Sequence, residues 1–458
     1  MNRAFDAIVV GAGQAGPALA HRLTTAGMTV AVIERKLVGG TCVNTGCTPT
    51  KALVASAYAA HLARRAADYG LEVDDVRVDM KRVKARVDTI VNNSRTNLED
   101  WLASMPGCTL IRGHARFTSP NSVVVDGQEL SAERIFINVG GRPRHPDLPG
   151  INDVKTLDTG SLLKLDELPP RLLIIGGSYV GLEFAQIFRR LGSEVTVVEQ
   201  LPRLVMREDE DISAEIRRIL EAEGIKCRVG AECIRLASRG NDIVVGLKCS
   251  EGPEEVIGSH VLLAVGRRPN TDDLSLDKAR VETDERGYIR VDDQLATNVE
   301  GIWALGDCNG RGAFTHTAYN DFEIVAANLI DGEDRRVCER VLAYALFIDP
   351  PLGRVGMTEA EARNSGRKIL TSRRPMSRVA RAVEKGEVQG LMKLVADAET
   401  KQILGAAILG TGGDEAIHGL VDVINAAVPY PTLQWAVPIH PTVSELIPTM
   451  IGNLKVPV

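Results

Sequence analysis

"DAIVVGAGQAG", Asp6 to Gly16, is an apolar run that ends in three glycines, and together with the next eighteen residues it sets the architecture of this 458-residue chain. Beyond Gly11, Gly13 and Gly16 an Ala/Leu-rich helical pattern runs to Thr25, and a second apolar run, "TVAVIE", ends at Glu34. A G-x-G-x-x-G triplet is weak by itself and informative when it joins a strand to a helix. Gly11 supplies the tight turn, Gly13 lets backbone approach a pyrophosphate, and Gly16 lets the helix pack close to the strand. The phosphates would rest on the helix N-terminus, where free N–H groups and the dipole favour negative charge. Glu34 would take a ribose hydroxyl pair.

The pattern returns at "LLIIGGSYVGLEFAQIFRRLGSEVTVVE", Leu172 to Glu199. Gly11 to Glu34 is a step of 23 residues, and Gly176 to Glu199 is again 23. This predicts two dinucleotide-binding domains. The second copy keeps Gly176 and Gly181 but has Ser178 at the middle position, which crowds the backbone's approach to that pyrophosphate. A further echo pairs "RIFINVGGRPR" with "HVLLAVGRRPN", each an apolar strand before a Gly/Arg/Pro turn late in its own domain. Two such sites in one chain predict an electron relay, with a tightly held flavin at one and an exchangeable nicotinamide at the other. Glu199 predicts NADH, because an acid at the strand end bonds the ribose and repels a 2′-phosphate. Arg203 and Arg207, just downstream, keep NADPH possible.

A formal charge of −6 leaves no electrostatic footprint for nucleic acid, and no apolar run approaches the roughly 18 residues of a membrane span. The N-terminus lacks the basic start and long apolar centre of a secretory signal, which predicts a cytoplasmic protein. Of the eight cysteines, Cys108, Cys227, Cys233, Cys249, Cys308 and Cys338 are scattered without metal spacing and read as buried or inert thiols.

The other two lie in "GGTCVNTGCTPTK", Gly39 to Lys51. Thr48 and Pro49 read as N-cap and first residue of a helix carried by Lys51 to Ala67, so Cys47 falls just before a helix N-terminus, a position that favours thiolate. Lys51 adds positive charge one turn later. The Gly, Thr and Asn residues around Cys42 permit tight turns. No further ligands lie at zinc spacing, and a structural staple is out of place in a reducing compartment. A chance pair and a working redox couple remain.

With "GGSYVGLEFA", "GIWALGDC" and "HPTVSE" coming later in that order, the chain resembles the flavoprotein pyridine nucleotide-disulfide oxidoreductases, among them dihydrolipoamide dehydrogenase, glutathione reductase and mercuric reductase. The resemblance implies an α/β fold of two Rossmann-like dinucleotide-binding domains plus a C-terminal α+β dimerisation domain. Residues 1–150 and 269–335 would hold FAD, 151–268 NAD(P), and 336–458 would form a homodimer interface. It implies that Gly11, Gly13, Gly16, Glu34, Thr41, Lys51, Gly306 and Asp307 surround FAD, and that Gly176, Ser178, Tyr179, Gly181 and Glu199 surround the nicotinamide cofactor, with Tyr179 as gate. Lys51 and Glu183 would pair near the flavin. Cys42 would be the interchange thiol and Cys47 the charge-transfer thiol. His440, its tautomer fixed by Glu445, would be the acid/base, supplied by the partner subunit.

The substrate this implies is a small thiol or disulfide. Mercuric reductases typically add a C-terminal vicinal cysteine pair, which this chain lacks, and tend to have tyrosine where it has His440. "RPMSRVARAVEKGEVQGLMKLV" nevertheless looks like the mercuric-reductase branch, so a soft metal ion, Hg(II) or Cu(II), is the alternative substrate; no resident metal site is implied. A redox-sensing flavoprotein or complex subunit is the alternative from another class. The basic cluster Arg373, Arg374, Arg378 and Arg381 reads as a solvated face balanced by Glu384 and Glu387, and His316 as packing or a helix cap.

Overall fold

The computed structural model of the protein describes residues 3–248 and 252–457, so Cys249 lies outside the described residues. The chain divides into two compact units. The first gathers residues 1–52, 84–145 and 265–340, and the second 53–83, 146–264 and 341–458.

In the first unit β1 (Arg3–Val10) lies between β2 (Val30–Glu34) and the strand Gln128–Ile137, parallel to both, and α1 (Ala15–Thr25) joins β1 to β2. Cys108–Arg112 extends the sheet beyond β2. Ser122–Val125 and Arg116–Ser119 extend it antiparallel on the other side, and Ile302–Ala304 pairs in parallel with Gln128–Ile137. Ala7 and Val9 enter the core shared with α1, while Ile8 and Val10 enter the core on the opposite face with Phe117 and Val123. Burial on both faces is why "AIVV" is an unbroken apolar run. The strand order reverses beside β1, and in sheets of this kind the carboxyl end at such a point is where nucleotides bind.

The second unit repeats this plan. Arg171–Ile175 lies between Glu194–Val198 and His260–Leu263, with Lys226–Arg228 and Thr156–Leu157 outside them, all parallel. Ala7 faces Val30 and Leu172 faces Val195, the same offset of 23 residues in both copies. The spacing in the sequence is thus a strand register. The unit also holds a three-stranded antiparallel sheet, Glu232–Arg239, Asp242–Lys248 and Glu255–Gly258. A five-stranded antiparallel sheet runs in the order Ala343–Leu346, Leu352–Gly356, Ile403–Leu409, Leu391–Asp397, Ile369–Pro375, with Leu420, Leu446 and Met450 of neighbouring helices packed into its core.

The two Gly/Arg/Pro turns do not stay apart in separate domains. Gly141–Pro143 and Arg267–Pro269 pair antiparallel with one another inside the first unit, Arg142 opposite Arg268. They form one ribbon where the chain leaves that unit and where it returns. Among the described residues no helix is long and apolar enough to cross a membrane.

Candidate active site

The segment around the two cysteines is more helical than its composition suggests. The left-handed turn is confined to Gly39 and Gly40 (φ 92° and 58°), and the residues after it form α2 (Gly40–Thr45). Gly46 breaks the run, and α3 (Cys47–Arg64) starts immediately after it, with the Thr50 N–H donating to the Gly46 carbonyl at 3.0 Å. Cys47 is therefore the first residue of the helix, not the residue before an N-cap at Thr48, and the helix ends at Arg64 instead of Ala67. A Cβ on Gly40 would stand 2.9 Å from the Gly13 Cα, so this segment packs directly on the first glycine turn.

Cys42 is half-buried and Cys47 exposed, both as thiols. The hydrogen bond to Cys47, then burial, then charge on Cys47 push the Cys42 thiol far above its usual range. Cys47, the first residue of α3, stands at a helix N-terminus, where negative charge on a sulfur is favoured. Thr315 Oγ1 lies 3.3 Å from Cys47 Sγ. Lys51 follows one turn along α3, half-buried.

At the first glycine turn, a Cβ on Gly11 would stand 2.3 Å from the Asn138 carbonyl oxygen and one on Gly16 2.4 Å from that of Gly11. One on Gly13 would meet nothing nearer than 3.5 Å. Gly11 and Gly16 are required by the fold, whereas Gly13 is open above. The first turn of α1 has neither a side-chain cap nor an acidic residue, and the same holds for the helix Tyr179–Leu191. An open glycine and a helix N-terminus without a side-chain cap fit an anionic pyrophosphate. Glu34, buried, accepts from the N–H groups of Ala12 (2.9 Å) and Lys36 (2.7 Å), one on each oxygen. Each oxygen keeps a lone pair for a hydroxyl.

Asp307 sits in the turn Gly306–Asn309, where burial pushes its carboxyl up against the opposing pull of Arg267, whose Nε is 3.4 Å away. Arg267 also donates to Thr41 Oγ1 at 3.2 Å. The turn hangs on buried Asp321, which accepts from the Gly306 N–H (2.8 Å) and the Asn309 amide (2.9 Å) and pairs with Arg340. Asn138 donates to the Gly11 carbonyl at 3.0 Å. Sequence reasoning missed Asn138, Arg267 and Asp321. A polar residue closing the apolar strand "RIFIN" was the available signal for Asn138, and the repeated Gly/Arg/Pro turn was the one for Arg267.

In the second unit a Cβ on Gly181 would stand 2.1 Å from the Gly176 carbonyl oxygen, the counterpart of Gly16. Glu199 accepts from the N–H groups of Gly177 (2.6 Å) and Leu201 (2.8 Å). Ser178 is the exposed N-cap, and Tyr179, half-buried, donates to Glu208 Oε1 at 3.2 Å. Arg203 turns back onto the carbonyls of Met206 (3.2 Å) and Glu208 (3.0 Å), while Arg207 is exposed. Glu183 is buried and accepts from the Phe347 N–H at 3.0 Å. Lys51 and Glu183 belong to different units.

His440 is 75% exposed, its Nδ1 2.8 Å from Glu445 Oε2. That leaves Nε2 facing outward, and Glu445 itself is placed by standing at the N-terminus of the helix Leu446–Gly452. Trp435, Val437 and Ile439, just before it, are 82, 96 and 79% exposed.

The basic cluster has mostly internal partners. Arg373 pairs with Asp211 (3.0 Å) and Glu359 (2.9 Å), Arg374 donates to the Arg378 carbonyl, and Arg381 to that of Pro441. Of the two balancing acids, Glu384 lies 3.6 Å from Arg381, but Glu387 pairs with Lys385. Burial raises Cys227 and Cys308 to about 12, which makes them inert, whereas Cys233 and Cys338 are exposed, not buried. His316 stacks on Phe314 with centroids 5.3 Å apart.

Two dinucleotide folds, a dithiol at a helix N-terminus and a C-terminal sheet domain describe a class, and comparison with known families agrees. Residues 5–321 match the pyridine nucleotide-disulphide oxidoreductase family and residues 342–451 its dimerisation domain. The chain belongs to this family of FAD- and NAD(P)H-dependent oxidoreductases, whose members act on disulfides or, in the mercuric reductases, on a metal ion. It is 36% identical to the probable pyridine nucleotide-disulfide oxidoreductase RclA of Escherichia coli K12, covering 99% of this chain and 100% of the relative. It is 34% identical to dihydrolipoyl dehydrogenase of Thermus scotoductus, over 97% of this chain and 96% of that one, and 34% to mercuric reductase of Bacillus cereus, over 91% and 66%. Among solved structures it is similar to the Cu(II) complex of the HOCl-induced flavoprotein disulfide reductase RclA from Escherichia coli, with TM-score 0.89 and 35% identity over 99% of this chain and all of that one.

Proposed function

We propose that the protein is a cytoplasmic, homodimeric, NADH-dependent reductase of a small disulfide, working through Cys42 and Cys47. Bound FAD supplies two-electron transfer between the nicotinamide and the cysteine pair. With both cysteines reduced, the Cys42 sulfur attacks one sulfur of the substrate disulfide, and the departing sulfur takes a proton. Cys47 then attacks Cys42, which releases the second thiol and closes the Cys42–Cys47 disulfide. Each step needs a proton moved at a sulfur, and the partner subunit's His440 is the group to move it, because Glu445 holds Nδ1 and leaves Nε2 for the thiol. The exposed apolar residues Trp435, Val437 and Ile439 beside His440 are what a second copy would cover.

The observation that carries this reading is the His440–Glu445 pair at 2.8 Å, since reduction of a metal ion has no use for a proton at sulfur. Glu199 and the inward-turned Arg203 support NADH. A second reading, reduction of Cu(II) by the same relay, is favoured by the Cu(II) complex of a protein 35% identical over nearly the whole chain. A screen of NADH and NADPH oxidation against lipoamide, oxidised glutathione, other small disulfides, Hg(II) and Cu(II) tests both. Turnover confined to the metals, and undiminished in His440→Ala, would sink the disulfide reading.

A further inference from the structure

The loop after Glu199 contains a strained residue. Val205, buried and β-branched, has φ 41°, a conformation that such a residue adopts only where its surroundings impose it. Its N–H donates to the Gly177 carbonyl at 2.9 Å, its own carbonyl accepts from the Glu208 N–H at 2.8 Å, and Arg203 holds the Glu208 carbonyl. The result is that Glu208, 1% exposed, is delivered to the start of the helix that carries Tyr179.

Two phenols meet on one oxygen of this carboxylate. Glu208 Oε1 accepts from Tyr344 at 2.7 Å and from Tyr179 at 3.2 Å, and the two rings stand edge to face, 5.5 Å apart. Among the described residues the other oxygen has no hydrogen-bond donor; Arg354 Nη1 lies 3.7 Å from it. Arg354 is itself 1% exposed, its Nε and Nη2 without an acceptor among the described residues, and Asp209 lies 3.9 Å away. Burial pushes Glu208 above its usual range while Arg354 and the phenols pull it back. Burial, then the charge of Glu208, pushes both phenols up, so they remain donors.

We propose that Glu208 is a positioning residue for the nicotinamide site: it tethers Tyr179 in place, and Arg354 gives its carboxylate a second partner when Tyr179 swings away to admit the cofactor. This rests on the reading of Tyr179 as the nicotinamide gate. A buried carboxylate stripped of one donor is costly to leave unsatisfied. Here a shift of about an ångström would bring Nη1 into charge-assisted hydrogen-bond range. Glu208 thus has a second partner within reach when Tyr179 leaves it.

The test is steady-state NADH oxidation by FAD-loaded enzyme with ferricyanide as acceptor, a readout that does not need the disulfide substrate. Tyr179→Phe removes the tether's donor and Glu208→Gln removes the charge. Each should lower KM for NADH about ten- to a hundredfold, the worth of one hydrogen bond to a charged group, with kcat changed less than twofold. The double variant should go no further than either single one. Tyr344→Phe, which leaves Tyr179 as the remaining phenol on Oε1, should raise KM, an opposite sign that general loosening of the fold would not produce; it also carries the test if Glu208→Gln fails to fold. A KM shift in Tyr179→Phe without one in Glu208→Gln, additive shifts in the double variant, or a fall in Tyr344→Phe overturns the tether. If Tyr179→Ala leaves both NADH parameters unchanged, the gate reading fails instead.

Discussion

At the first glycine turn the Ala12 N–H donates to Glu34, and the Ala12 carbonyl accepts from Gly39; at the second, Gly177 is held between Glu199 and Val205 in the same way. The glycine ahead of each has φ 110° and 116° and donates to the second strand at 2.8 Å in both. From there the loops diverge. The first turns through Gly39 and Gly40 onto Gly13 and runs into the cysteine helices. The second turns through strained Val205 and delivers a buried carboxylate to Tyr179. One scaffold, kept by matching hydrogen bonds, presents a cysteine pair in one copy and an acid in the other. Chemistry here resides in the loop after the acid, not in the glycines.

The largest expected effect is on the copy with the cysteines. Cys47→Ser should reduce disulfide turnover by about three orders of magnitude or more and remove the long-wavelength thiolate-to-flavin absorbance from NADH-reduced enzyme. A band that persists would show that Cys47 is not the thiol beside the flavin. His440→Ala should cost about 10²–10⁴-fold in disulfide turnover while ferricyanide reduction by NADH stays within twofold. Full retention of disulfide turnover would remove the proton-transfer role.

The glycines allow a finer test. Gly16→Ala should destabilise the protein by about 1–3 kcal/mol through overpacking, because its Cβ meets the Gly11 carbonyl oxygen at 2.4 Å. Gly13→Ala should leave the melting temperature of flavin-free protein unchanged and weaken FAD retention. Equal destabilisation by both would mean that Gly13 also serves the fold. The narrowest test is an acid effect in the second unit. Burial alone would raise Glu359, but hydrogen bonds from Lys393, Arg373 and Arg363 outweigh it and hold the carboxyl at about 2, against an ordinary value of 4.5. A depressed carboxylate contributes stability that is complete above about 4.5 and is lost as pH falls toward about 2. Glu359→Gln should flatten acid unfolding within that window, and an unchanged slope there would argue against the pairing.

Most of the fold was legible because its signals are local. Burial of both faces of β1 makes an uninterrupted apolar run, and Gly11, Gly16 and Gly181 are positions where a Cβ would strike backbone. The helix starts two residues earlier than Thr48 and Pro49 suggest, since those two resemble a cap and first residue while Gly46 is the actual break. Arg373 illustrates the opposite difficulty. In sequence it is one of a cluster of surface arginines, and only folding brings Asp211 and Glu359 to it.

By itself the sequence determined the two nucleotide folds and their common register, since 23 residues is the length of one strand, turn, helix and return. It also determined the dithiol at a helix start. Tertiary structure alone decided that Gly141–Pro143 pairs with Arg267–Pro269, and that Tyr344 shares Glu208 with Tyr179 across 136 residues of chain. Such contacts leave no period or spacing behind, because they join segments whose separation no helix or hairpin sets. Whether an acid is an exposed charge or a buried tether depends on what folds over it, and for Glu208 that is Arg354 and Tyr344.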